Sequence, residues 1–319
     1  MATGTNAQVM EYRRLGRTSL NVSLLGFGAS PLGDVYSVTD PAEGVRAVAL
    51  AIENGINFFD VSPYYGATLA EERLGKALRG KRQEVVLATK CGRYGLNDFD
   101  FSAKRVAKSM EESLQRLQTD YIDLFQAHDV EFGDVRQIIE ETIPAMRKLQ
   151  KEGKARYIGI TGYPLRTLRK IADAVEVDTI LSYCHYNLMV TDMDEVLTPF
   201  VKGKGIGLIN ASALHMGLLT EQGAPEWHPA PPKVHEAGRR AALYCRERGV
   251  NISDVSLRFC LDHPSVSSTL IGMATTEDVI CNLKALRAAS DPELAAEVQK
   301  QIGGAMNHVW KSGKPENQG

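Results

Sequence analysis

The sequence has no C-x-x-C spacing; its five cysteines, Cys91, Cys184, Cys245, Cys260 and Cys281, are scattered. An odd, dispersed set excludes a disulfide framework and a zinc finger. There is no basic excess either: 37 Lys and Arg stand against 39 Asp and Glu, a formal charge of −2. Proteins that hold nucleic acid or an anionic membrane by counterion release carry a basic run, so neither partner is expected. No apolar run approaches the ~18–20 residues of a membrane helix. Met1–Met10 is polar, so no signal peptide is expected, and the expected location is the cytosol. What is present is ordinary globular composition, 44% hydrophobic and 24% charged over 319 residues. An α/β barrel of about 250 residues plus loops would use that length as one domain, 1–319.

Short apolar runs alternate with longer amphipathic ones. The apolar runs are Val22–Gly28, Asn57–Val61, Val85–Lys90, Tyr121–His128, Tyr157–Thr161, Thr179–Tyr183, Ile206–Ala211 and Ser268–Ile271. They are continuous rather than alternating, as suits parallel strands buried on both faces. Helical patterns lie between and after them, at 41–54, 69–79, 102–117, 134–152, 165–174, 192–203, 233–262 and 276–289. Pro41 opens the first and Gly55 follows it; Gly153 follows the fourth; Ser102 and Ser253 are expected N-caps. Eight strand–helix units predict a closed (β/α)8 TIM barrel, with an open doubly wound sheet as the competitor. The surplus goes to an N-terminal segment, 8–21, expected to form a hairpin around Asn21, a proline-rich loop over 213–233, and a tail after Asp291. Long loops in compact domains tend to be functional.

Barrel enzymes take their reactive side chains from the C-terminal ends of the strands. Here the second strand ends at Asp60 and leads to Tyr65, the third ends at Lys90 and the fourth at His128. Each alone has a bland reading: a rim lysine is usually solvated, and a histidine near a core is usually just hydrogen-bonded there. Together they make a tuned acid/base. A phenol titrates near ~10. An ammonium such as Lys90 beside Tyr65 favours the phenolate, Asp60 would orient Lys90, and His128 would hydrogen-bond a reacting oxygen. Proton transfer coupled to hydride transfer needs such a set, with a nicotinamide carrying the hydride.

Gly55-Ile56-Asn57-Phe58-Phe59-Asp60-Val61-Ser62-Pro63-Tyr64-Tyr65-Gly66, with Glu71 and Leu74-Gly75, resembles the aldo-keto reductase signature. Ala88-Thr89-Lys90 and His128 match that family's Lys and His. The resemblance runs from Arg14-Leu15-Gly16 to the eighth helix and implies an Asp–Tyr–Lys–His tetrad on a (β/α)8 barrel with a nicotinamide cofactor. Lys90-Cys91-Gly92-Arg93-Tyr94, His128-Asp129-Val130-Glu131-Phe132-Gly133, Ser182-Tyr183-Cys184-His185-Tyr186 and Pro225-Glu226-Trp227-His228-Pro229 are similar to a plant branch of the family. That branch implies oxidation of L-galactose at C1 to a lactone with NAD, a late step of ascorbate synthesis. Tyr65 would be the base, and Arg93, Asp129 and Trp227 would surround the sugar. The family is monomeric, so a monomer is expected.

The resemblance also assigns a cofactor side. Gly28, Ala29, Thr161, Tyr183, Ser212, Leu214, Gly217, Leu219, Gly272, Asp278 and Asn282 fall there. Thr161-Gly162 replaces the family's carboxamide-binding Ser-Asn, and Tyr183 replaces a glutamine, putting an aromatic ring where nicotinamide would stack. Gly272 and Asp278 stand where NADP-preferring relatives place a Lys and an Arg. A missing cation and an added anion favour NAD, since a carboxylate can accept from a free ribose hydroxyl. The competing reading makes Asp278 a helix-start residue.

Other signals are weaker. Gly26-Phe27-Gly28 starts a dinucleotide fingerprint, but its third glycine would fall on Pro31. Adjacent Cys184 and His185 are expected on opposite strand faces, one buried and one outward. Cys91 beside Lys90 is either an oxidisable thiol or an inert filler. No metal ligand set is expected. Rival functions are an NADPH-dependent aldehyde or carbonyl reductase, a non-catalytic cofactor-binding barrel subunit, and a Schiff-base aldolase using Lys90. The last needs a desolvated neutral lysine.

Overall fold

A computed structural model describes residues 10–318. Two short strands, β1 (Tyr12–Arg14) and β2 (Asn21–Ser23), form an antiparallel hairpin. The predicted run Val22–Gly28 therefore splits, and Asn21 opens the second hairpin strand instead of forming the turn. Eight parallel strands follow: β3 (Leu25–Gly28), β4 (Phe58–Asp60), β5 (Val86–Cys91), β6 (Ile122–Ala127), β7 (Ala155–Gly162), β8 (Thr179–Tyr183), β9 (Gly207–Ala211) and β10 (Ser268–Gly272). β10 pairs with both β9 and β3, so the sheet closes and has no edge. Closure rules out the doubly wound alternative.

Alternation along the strands sets the contents of the barrel. Phe58, Ala88, Leu124, Leu181, Ile209 and Leu270 point inward and form one buried cluster with Leu15, Leu20 and Val22 of the hairpin. The hairpin thus plugs the N-terminal end. Each such large side chain contributes about 1.5–3 kcal/mol on burial. Gly16 permits the plug: its φ is +56°, and a Cβ there would lie 2.2 Å from the Gly207 nitrogen. A second cluster lies between the strands and the outer helices.

Helix limits follow local chemistry. Asp40 caps the helix Pro41–Glu53 by accepting from the Ala42 N–H, and Ser102 caps Ala103–Leu117 by accepting from the Arg105 N–H. The predicted 134–152 helix contains a π-turn at Ile138–Thr142, directly before Pro144 in Ile143–Lys151. A proline without an N–H cannot donate back along the helix, which accounts for the change of turn. The predicted 233–262 helix is two, Pro232–Glu247 and Ile252–Leu261. Gly249 breaks it at φ +70°, and Asn251, not Ser253, is the second N-cap. The tail holds an unanticipated helix, Pro292–Ile302, capped by Asp291. Beyond it the chain returns to the barrel mouth, where Trp310 stacks on Tyr163 with centroids 4.6 Å apart.

Candidate active site

Two residues beyond the inward layer of Phe58, Ala88 and Leu124 come Asp60, Lys90 and Gln126, on the same faces of β4, β5 and β6. His128 follows two residues after Gln126. The buried Lys90 ammonium donates to the Asp60 carboxylate, to the Val61 carbonyl at 3.0 Å and to the Tyr65 hydroxyl at 3.3 Å. Gln126 Nε2 donates to the other Asp60 oxygen at 2.9 Å. The His128 ring stands edge-on to Tyr65, centroids 5.7 Å apart at 86°. The four predicted residues are therefore brought together at one mouth. The turn carrying Tyr65 is locked from below: a Cβ on Gly66, at φ +61°, would meet the Gly33 oxygen at 2.1 Å.

Burial governs the electrostatics. The Tyr65 hydroxyl is pushed well above the usual phenol range, by desolvation first and then by the Asp60 and Asp129 carboxylates, with Arg93 opposing. The expected lowering by Lys90 is not the net result, because the Lys90 charge is paired with Asp60 inside the barrel. His128 is driven well below its ordinary value by burial and by the Lys90 and Arg93 cations, so its ring is neutral. Lys90 is ion-paired with Asp60 rather than set alone in an apolar pocket, which removes the basis of the aldolase reading.

A second layer lies outward. Asp129, at φ +51°, bonds the Arg93 guanidinium, and Asp129 Oδ2 lies 3.7 Å from His128 Nε2. Arg93 is packed 3.9 Å over the Tyr64 ring. Burial raises Asp129, offset in part by Arg93. Trp227 sits farther out on the long loop, 56% exposed, with its ring 6.4 Å from that of Tyr36. Arg93 and Asp129 therefore join the tetrad, whereas Trp227 forms the rim. Cys91 is fully buried and its thiol is pushed up by desolvation, so the oxidisable reading fails. Cys184 and His185 are both buried; Cys184 has a φ of +62°, which ends the strand alternation there, and His185 Nδ1 bonds Asp192 at 2.7 Å.

The model of the aldo/keto reductase family matches residues 24–302. The chain is 47% identical to L-galactose dehydrogenase of Arabidopsis thaliana, over 97% of its own length and 99% of that protein. It is 30% identical to D-arabinose 1-dehydrogenase of Saccharomyces cerevisiae, covering 92% of this chain and 95% of the other. The fold superposes on an aldo-keto reductase of Bacillus halodurans in its holo form with a TM-score of 0.79 and 29% identity, covering 95% and 99% of the two chains.

The chain belongs to the aldo/keto reductase family.

It is therefore an oxidoreductase, and members of the family bind a nicotinamide cofactor. The residues at the mouth of this aldo/keto reductase fit such a group. Gly28 and Gly272 are register partners on β3 and β10, a step without side chains at the rim; a Cβ on Gly28 would reach the Ile271 oxygen at 3.0 Å. Tyr183, Ser212, Leu214 and Gly217 are half-open around the same rim, and Ser212 and Gly217 have φ values of +61° and +102°. Ala29 and Leu219 are buried: Ala29 supports the site through its N–H, which donates to the Asp60 carbonyl at 2.8 Å. The Thr161 hydroxyl accepts from the Asp129 N–H at 3.1 Å.

At the last strand, Asp278 completes a capping box. Its carboxylate accepts from the Ala274 and Thr275 N–H groups, both at 2.9 Å, and the Thr275 hydroxyl accepts from the Asp278 N–H at 3.1 Å. The helix-start role is thus realised, with both of these N–H groups on the same carboxylate oxygen. Asn282 is half-buried on the same helix, Thr276–Arg287. The sequence reading missed Glu43 of the first helix, which accepts from both the N–H and the hydroxyl of Thr276, at 2.7 and 2.6 Å. It missed Gln126 too, although the spacing of two from His128 on a strand was a usable signal. Ser62, 2.9 Å from His128 Nδ1, was also missed; only the turn after β4 brings it there.

Proposed function

We propose that this aldo/keto reductase is an NAD-dependent dehydrogenase that oxidises L-galactose at C1 to a lactone. The observation that carries the reading is the buried chain Asp60–Lys90–Tyr65 facing His128, set in a protein 47% identical to L-galactose dehydrogenase of Arabidopsis thaliana. Gly28, Thr161, Tyr183, Ser212, Leu214 and Gly217 would hold the dinucleotide. When bound it supplies the hydride acceptor. Tyr65 Oη takes the proton of the anomeric hydroxyl, Lys90 stabilises the phenolate, and Asp60 and Gln126 keep Lys90 in place. His128 donates a hydrogen bond to the reacting oxygen as it becomes a carbonyl. Arg93 and Asp129 line the sugar side.

NAD is favoured by charge. Gly272 offers no cation, Asp278 and Glu43 are carboxylates, and the nearby Arg46 is already bonded to Glu43 at 2.5 Å. A sugar panel with NAD, followed by NADH absorbance, tests the reading; no turnover of L-galactose would overturn the substrate. A product accepted by an ascorbate-forming step and a cytosolic monomer belong to the same proposal. One observation favours a second reading. Tyr65 is held as a phenol, which suits protonation of a carbonyl during reduction. Faster aldehyde reduction with NADPH than sugar oxidation with NAD would select it.

A further inference from the structure

We propose that Ser62 is a positioning residue that fixes the tautomer of His128, placing the single ring proton on Nε2, toward the barrel mouth. Ser62 is fully buried, two residues beyond Asp60. Its Oγ lies 2.9 Å from His128 Nδ1 and accepts the Tyr64 N–H at 3.1 Å. A hydroxyl has one proton and two lone pairs. The Tyr64 N–H takes one lone pair. Among the described residues, the only acceptor within bonding distance of the Ser62 proton is His128 Nδ1. The reverse arrangement, with Nδ1–H donating to Oγ, would leave a buried hydroxyl proton with no acceptor. Nδ1 therefore accepts, and a neutral imidazole with an accepting Nδ1 carries its proton on Nε2.

The other side of the ring agrees. Among the described residues Nε2 has no bonded partner; Asp129 Oδ2, at 3.7 Å, is beyond bonding range and is held by Arg93. The Lys90 and Arg93 cations, together with burial, disfavour a second ring proton. The ring thus presents a neutral N–H donor at the mouth, beside the Tyr65 hydroxyl. The role rests on the oxidoreductase reading above, in which that N–H meets the reacting oxygen. The tautomer itself does not rest on it.

The test uses the full-length protein with 15N-labelled histidine, the His128 signals being assigned with His128→Gln. The wild type is expected to show Nδ1 as an unprotonated acceptor and Nε2 as protonated. In Ser62→Ala both ring signals move toward the mixed-tautomer average. The same variant loses roughly tenfold in kcat, part of the ~10²–10⁴ a positioned proton-transfer group contributes. NAD affinity, read by fluorescence, is unchanged. Ser62→Thr, which keeps the hydroxyl, restores the wild-type ring pattern. A protonated Nδ1 in the wild type overturns the inference, as does an unchanged ring spectrum in Ser62→Ala. If Ser62→Ala does not fold, the wild-type spectrum alone decides. A wild type with the expected ring pattern and no activity on any aldose supports the tautomer and overturns only the sugar reading.

Discussion

The Lys90 ammonium lies 3.3 Å from the Tyr65 hydroxyl, and its remaining bonds go to the Asp60 carboxylate and the Val61 carbonyl. All three donor directions of one buried amine are used, so its position is fixed by β4 and the turn beyond it. Removing the phenol oxygen should abolish proton transfer without disturbing that frame. Tyr65→Phe is expected to lower kcat by about 10²–10⁴ while NAD affinity stays within a factor of ~2. Lys90→Met should give an equal loss of kcat, and also a loss of stability, because Asp60 is left buried with Gln126 as its one side-chain partner among the described residues. Stopped-flow turnover and fluorescence titration of NAD separate the two effects.

The pH dependence follows from the same hydroxyl. Burial and the Asp60 and Asp129 carboxylates hold Tyr65 up, so the base form is scarce at neutral pH. The kcat/KM for sugar oxidation should rise with pH, by up to about tenfold per unit, well into the alkaline range. Carbonyl reduction by the same protein should not show that rise. A profile for oxidation that is flat from neutral pH upward would contradict the assignment of Tyr65 as base.

Glu131 ties stability to pH. Its buried carboxyl is raised from 4.5 to about 8, by desolvation first and by Asp129 second, and it accepts from the Tyr163 N–H and the Ser312 hydroxyl of the tail. The folded chain therefore holds a proton between pH 4.5 and about 8 that the unfolded chain has released. Stability from this group is fully present below pH 4.5 and is lost as pH rises through about 8. Glu131→Gln, which mimics the protonated acid, should flatten that decline in Tm measured across the same range.

Cofactor choice is tested at Glu43. Its carboxylate is lowered to about 2 by the two bonds from Thr276, so it is an anion at all working pH. It occupies the start of the helix Thr276–Arg287 and pairs Arg46. Glu43→Ala frees both donors and the cation. NADP affinity, measured by titration, should rise by about tenfold, with little change for NAD. No change for NADP would place the ribose elsewhere.

Much of the fold was legible because parallel barrel strands are buried on both faces, and continuous runs of Val, Ile, Leu and Phe report that directly. All eight predicted strand centres lie in barrel strands. Errors fell where a short-range signal decided the structure. Gly249 splits one amphipathic stretch into two helices, and Pro144 imposes a π-turn within another. The tetrad was legible because strand ends are identifiable, and a closed barrel brings every strand end to one mouth.

The sequence by itself determined the barrel, the types of reactive side chain and the sites they occupy at the strand ends. Tertiary structure alone decided their states. Only the turn after β4 puts Ser62 on His128, only the first helix puts Glu43 on Thr276, and only enclosure raises Tyr65 and Glu131 and lowers His128. The physical reason is that periodicity reports which face a side chain occupies. The free energy of a charge depends on water excluded and partners supplied by segments far apart in the chain.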